Sequence, residues 1–148
     1  MNAKDPYDLD RFVQAQVGVY ETALAEIESG CKRSHWMWFI FPQFAGLGNS
    51  PTSRYFAIRS RSEAKAYLAH PVLGARLCAC AEAAVAVSGR SARDLFGTPD
   101  DVKLRSCATL FAETAPENPV FQQLLDVYFA GEPDQRTLEL LARASDDD

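Results

Sequence analysis

No uninterrupted apolar run in this chain approaches the roughly 18 residues that suggest a membrane-spanning helix. Residues 1 to 14 alternate charged and polar side chains and hold no hydrophobic stretch of the secretory type. The chain is therefore expected to stay in the cytoplasm and to have no membrane partner. Cysteine is sparse and badly spaced for a metal. Cys31, Cys78, Cys80 and Cys107 include no pair with the two-residue gap of zinc sites and dithiol redox motifs. On one helix the side chains of Cys78 and Cys80 diverge by about 200° and do not readily bridge, so all four cysteines are expected to be reduced and buried as small apolar residues. No metal and no cofactor is implied. Basic residues are outnumbered, 15 Lys and Arg against 20 Asp and Glu for a net charge of −5, which argues against a duplex-DNA partner because such proteins usually carry positive domains or stripes.

What is present is an ordinary globular composition, 47% apolar and 24% charged over 148 residues, enough for one domain with one core. The apolar periodicity is helical. Leu9, Phe12, Val13, Val17, Tyr20, Leu24 and Ile27 recur every three or four residues and predict one helix over 9–29, capped by Asp8 and closed by Gly30. Ser60 and Glu63 have capping-box spacing, and His70-Pro71 marks a helix boundary. Val72 to Val87 places Leu73, Leu77, Cys80, Ala84 and Val87 on one face before Gly89 stops it. Thr98-Pro99 and Asn118-Pro119 each read as a capping residue followed by proline at the first helical position. A last helix is predicted from about Asp134 to Ala144. No run alternates in the manner of a strand, so the expectation is all-α: a single compact domain over 1–148 of about six to eight helices, with a Gly-rich loop after an aromatic helix and fraying at 1–5 and 145–148.

One absence is local. From Cys31 through Ser62 there is no Asp or Glu, while Lys32, Arg33, Arg54, Arg59 and Arg61 give that segment a charge of +5. It also holds seven of the sixteen aromatic residues. A helix started at Ser34 turns apolar side chains all round and must be buried, until Pro42 ends it and leaves Gln43 near a turn. Gly46-Leu47-Gly48-Asn49 then forms a loop in which two glycines permit positive φ, ahead of the Ser50-Pro51 helix start. Such a loop gathers unpaired N–H groups and the positive helix end, and Ser50, Thr52 and Ser53 add hydroxyls. It lacks the lysine of a phosphate loop and the preceding strand of a dinucleotide fingerprint.

The expected site is accordingly a basic, aromatic cleft for an anionic or phosphate-bearing small molecule. Lys32, Arg33 and Arg54 hold the charge, Trp36 or Trp38 stacks a ring, and Gln43, Gly48, Ser50, Ser53 and Tyr55 complete the lining. His35 is the acid or base if chemistry occurs, since its ordinary pKa suits proton transfer at neutral pH. Arg59 and Arg61 are read as a solvated face. The rival is a non-catalytic module that docks an acidic protein surface or single-stranded nucleic acid by stacking. A purely structural third reading buries every aromatic and pairs the arginines with the acidic C-terminal helices.

The run Lys32-Arg33-Ser34-His35-Trp36-Met37-Trp38-Phe39-Ile40-Phe41-Pro42-Gln43, followed by Gly46, Gly48, Ser50, Ser53 and Tyr55 and then by Tyr67 to Leu77, resembles a bacterial family known as domain of unknown function eighteen-ten. The resemblance covers most of the chain and implies a mainly helical fold with no established catalytic residues. The calpastatin label sometimes given to that family does not suit this chain, which has neither long disordered repeats nor the proline-rich motifs of calpain inhibitors.

Overall fold

The computed structural model describes residues 4–87 and 89–144, and the fraying expected at the chain ends falls largely outside them. Among the described residues there are ten helices and no strand: α1 (Asp10–Gln16), α2 (Tyr20–Ser29), α3 (Met37–Ile40), α4 (Pro51–Tyr55), α5 (Arg61–Ala69), α6 (Leu73–Ala86), α7 (Ala92–Phe96), α8 (Asp100–Thr114), α9 (Val120–Phe129) and α10 (Gln135–Arg143). The all-α class is as expected, with more and shorter helices than the six to eight predicted.

The first expected helix is two. Gly18 has φ 71° and splits α1 from α2, leaving Val17 68% exposed although it lies on the apolar stripe. The break lets the Gln16 side chain turn inward, where its amide nitrogen donates to the carbonyl of Phe39 (2.7 Å) and the Tyr67 hydroxyl (3.3 Å). Asp8 is not the cap. It stands at φ 52°, and the Asp5 carboxylate instead accepts from the backbone N–H groups of Leu9 and Asp10. Gly30 does close α2 in the left-handed region. Thr98 does not cap α8 either: the residue that enters the helix is Pro99, and no side chain caps it. Helix α7, absent from the prediction, is capped by Ser91, whose hydroxyl accepts from the N–H of Asp94 (3.0 Å).

Helix α8 is the centre of the core. Leu104, Cys107, Ala108, Leu110 and Phe111 are all inaccessible to solvent, and α5, α7, α9 and α10 pack around it. Helix α6 lies against α2, α5 and α9 through the face predicted for it, Leu73, Leu77, Cys80 and Ala84. Cys80 and Cys107 are buried and free, and burial pushes the Cys80 thiol up to about 12. Cys31 and Cys78 are only half-buried, contrary to expectation. Among the described residues no single helix is long and apolar enough to cross a membrane, and the one helix pair that passes by composition, α5 with α6, is bent by 87°.

Two features of this frame position the acid-free segment. Phe44 and Ile58 form an isolated parallel bridge, with Ala45 N–H donating to Ile58 O (2.8 Å) and Ile58 N–H to Gln43 O (2.9 Å). The chain between them is thus a loop closed at its base, containing Gly46, Gly48 and the short helix α4. Behind it lies the buried ion pair Arg11 to Glu63 at 2.7 Å, with side chains 2% and 3% exposed. Arg11 donates to the carbonyls of Tyr55 and Ala57, and Glu63 accepts from the N–H of Arg59. The returning arm of the loop is therefore held from inside.

Candidate functional site

The closed loop surrounds a hollow of about 180 Å³, walled by Trp38, Phe44, Leu47 and Phe56 with Ala45 and Ala57 between them and rimmed by Gln43, Ser53, Arg54 and Arg59. Among the described residues no acidic side chain lines it. Both arginines are exposed, and neither guanidinium forms an ion pair with a described carboxylate. A second, more open groove of about 310 Å³ adjoins it across Trp38, Gly48 and Ser53 and ends on Asn49, Ser50, Pro99, Val102 and Lys103. The Lys103 ammonium lies 4.2 Å from the centroid of Trp38 and so covers one face of that indole.

The loop's glycines do different jobs. Gly46 takes φ 102°, as expected of the turn, and a β-carbon there would come within 3.1 Å of Leu140 on α10. Gly48 needs no positive φ. It is small because Ser53 is close: a β-carbon would meet the Ser53 hydroxyl at 2.6 Å. That hydroxyl is engaged, donating to Ser50 O (2.9 Å), while the Ser50 hydroxyl caps α4 through the Ser53 N–H. In this five-residue helix the Ser53 N–H, one of those expected to gather at Ser50, is already taken by the Ser50 hydroxyl.

Of the residues predicted for the site, Trp38, Gln43, Gly48, Ser53 and Arg54 meet at the hollow, and Ser50 lines the adjoining groove. Tyr55 turns away, 54% exposed and edge-on to Phe56 at 4.8 Å. Arg59, read from the sequence as merely solvated, belongs to the rim. Arg61, read the same way, is half-buried and donates to the carbonyl of Leu141 on α10.

Lys32, Arg33, His35 and Trp36 lie elsewhere, and Glu26 of α2 is the reason. Its carboxylate folds over this stretch and accepts from the N–H groups of Arg33 (2.8 Å) and Ser34 (3.0 Å), from the Ser34 hydroxyl, and from the Trp36 indole N–H (2.8 Å). Trp36 is wholly buried with its one donor used, so it stacks on no ligand. Lys32 is spent on Asp100 at 2.8 Å, with its side chain only 7% exposed. Arg33 and His35 are exposed and line neither the hollow nor its groove. Burial alone would raise the Glu26 carboxyl. The hydrogen bonds to its ionised form outweigh that and bring it from the ordinary 4.5 down to about 2.

A pH dependence follows. The folded form binds this proton less tightly than the unfolded one, so the stabilisation is complete above about 4.5 and is lost as pH falls toward about 2. For a half-exposed carboxylate it amounts to about 1 to 2 kcal/mol after solvent screening. Urea midpoints measured at intervals between pH 5 and pH 2.5 check this. The slope should flatten in Glu26→Gln, and an unchanged slope would remove Glu26 as its source.

With that geometry in place, comparison with known proteins is informative. The family described as "Protein of unknown function (DUF1810)" matches residues 6–141. The chain belongs to this family. A solved structure, that of the conserved hypothetical protein Rv1873 from Mycobacterium tuberculosis, is 50% identical, covers 93% of this chain and 99% of its own, and superposes with a TM-score of 0.92. No curated protein matches significantly. For this member of DUF1810 the functional argument therefore rests on the hollow itself.

Proposed function

We propose that this chain binds a small molecule through an anionic group, carboxylate or phosphate, held by Arg54 and Arg59 at the rim of the closed loop. One observation carries the reading: two guanidiniums share an aromatic-walled hollow that, among the described residues, contains no carboxylate. Among the described residues Asp100 pairs with Lys32 and Lys103, Glu132 with Arg105 and Glu139 with Arg136, and none of these acids reaches Arg54 or Arg59. An anion that accepts paired N–H donors from arginine gains short, charge-assisted hydrogen bonds, and the apolar wall strengthens them by excluding water.

The lining favours binding over conversion. Its polar side chains are guanidiniums, the Gln43 carboxamide and the Ser53 hydroxyl already bonded to Ser50, none of which is a proton acceptor of useful strength at neutral pH. His35, the acid or base of the sequence reading, is outside it.

Arg54→Ala tests the assignment. The side chain is exposed and carries no fold contact, so the unliganded variant should melt within a degree or two of the parent, whereas its affinity for inorganic phosphate should drop by about 1.5 to 3 kcal/mol. Thermal melts of both proteins with and without phosphate decide it. Equal stabilisation of the two would take Arg54 out of the site.

A further inference from the structure

We infer that the anion received by Arg54 and Arg59 is carried on a single aromatic ring, which makes the ligand class monocyclic aromatic acids in preference to nucleotides. This rests on the reading above and adds the body of the ligand to its charge. Size is the first argument. The hollow measures about 180 Å³, while an apolar protein cavity of about 150 Å³ holds one benzene molecule and sites for larger organic ligands begin at about 300 Å³. One ring fits inside with its acidic group at the arginine rim. A base with its ribose exceeds the hollow and would have to run out into the adjoining groove.

Rigidity is the second argument, because a soft hollow would widen for a bulkier guest. Phe56 is gripped by three rings, Phe12, Phe39 and Tyr55, at centroid distances of 5.6, 5.3 and 4.8 Å. Trp38 is covered on one face by Lys103. Phe44 is tied through the bridge to Ile58, and Leu140 of α10 presses on Gly46. The walls at Phe56, Trp38 and Phe44 are each held from behind, so widening the hollow there means moving several side chains together. Chemistry is the third argument. The aromatic and aliphatic walls offer a ring its faces, while the arginines and the Gln43 carboxamide stand at the edge where its acidic group would lie.

Ala57 sets the test, because its small side chain helps leave the ring's space while the arginines sit at the rim. Benzoate and acetate, and phenyl phosphate and inorganic phosphate, are titrated as pairs into the full chain by calorimetry, with adenosine monophosphate alongside. The expected result is at least tenfold tighter binding of the ring-bearing member of whichever pair matches the anion, with adenosine monophosphate no tighter than inorganic phosphate. Ala57→Leu should abolish the tenfold advantage, with an unchanged far-ultraviolet spectrum confirming the fold. Ala45→Leu fills the same space from the other arm if the first variant does not fold. Binding of the ring-free anion with no ring advantage, adenosine monophosphate binding as tightly as phenyl phosphate, or an advantage that survives both fillings would overturn this inference while leaving the anion reading standing. Absence of binding by every probe would overturn both.

Discussion

Arg11→Met should lower the free energy of unfolding by about 3 to 5 kcal/mol, the range for breaking a buried ion pair by removing one partner. The side chains of Arg11 and Glu63 are almost wholly shielded from solvent. Arg11 satisfies itself with the Glu63 carboxylate and with four carbonyls, those of Tyr7, Asp8, Tyr55 and Ala57, all between 2.7 and 2.9 Å. Methionine fills much of the volume and supplies no donor. Glu63 then keeps its Arg59 N–H bond and loses its countercharge. Urea unfolding of Arg11→Met, Glu63→Met and the double variant measures the coupling. The double variant should be less destabilised than the two singles added together, because no isolated charge remains buried, yet it should not return to the parent value, because the carbonyls of Tyr55 and Ala57 stay without their donor. Additive losses would show that the two side chains act independently.

The same experiment reports on the site without touching it. Tyr55 and Ala57 belong to the arm that carries Arg54, Phe56 and Arg59, so Arg11 sets where the rim stands from behind the core. In Arg11→Met the backbone N–H of Ile58, which donates to Gln43 O at the base of the loop, should exchange with solvent faster than in the parent, and binding of the anion should weaken although every lining residue is intact.

How much of this was legible in the sequence depends on the range of the interactions involved. The buried face of α6 could be read directly, because Leu73, Leu77, Cys80 and Ala84 follow from helical spacing alone. The caps at Ser50 and Ser60 were equally local, each accepting from an N–H three residues on. The break at Gly18 was hidden because the apolar stripe runs through it unbroken, and what rewards the break is Gln16 reaching Phe39 and Tyr67, far along the chain. Helix α7 did carry a signal, the three-residue spacing from Ser91 to Asp94, in a stretch of only five helical residues.

The site divided along the same line. An acid-free stretch correctly marked where guanidiniums and rings gather, but counting charges along the chain cannot show which carboxylate the fold brings in from outside. Glu26 and Asp100 took Lys32, the Arg33 backbone and Trp36 out of the expected cleft. Arg59 was dismissed because nothing local distinguishes a solvated arginine from one on a rim. The Gly48 position was noted for the wrong property, backbone freedom, when its close approach to Ser53 is what a side chain would obstruct.

Gly74→Ala should be the most disruptive single-methyl change in the molecule, costing about 3 kcal/mol, the upper end of ordinary overpacking. Gly74 lies in the first turn of α6 where that helix bends away from α5, and its N–H donates to His70 O (3.0 Å). A β-carbon there would stand 2.0 Å from the carbonyl oxygen of Leu68 and 2.8 Å from its carbon. These are backbone atoms, so no rotamer change relieves the overlap and α5 must separate from α6. The junction resists, because His70 Nδ1 accepts from the N–H groups of Val72 and Leu73 and fixes the connecting turn, while Tyr67 and Leu73 on either side of it are fully buried. Gly18→Ala is the matched control. It has a positive φ and nothing within 4 Å of the new carbon, so it should cost only the backbone strain of about 1 to 2 kcal/mol. Thermal and urea unfolding of the two variants separate steric overlap from strain. If Gly74→Ala proved no worse than Gly18→Ala, the tight seating of α6 on α5, and with it the placement of α5 that presents Glu63 to Arg11, would have to be abandoned.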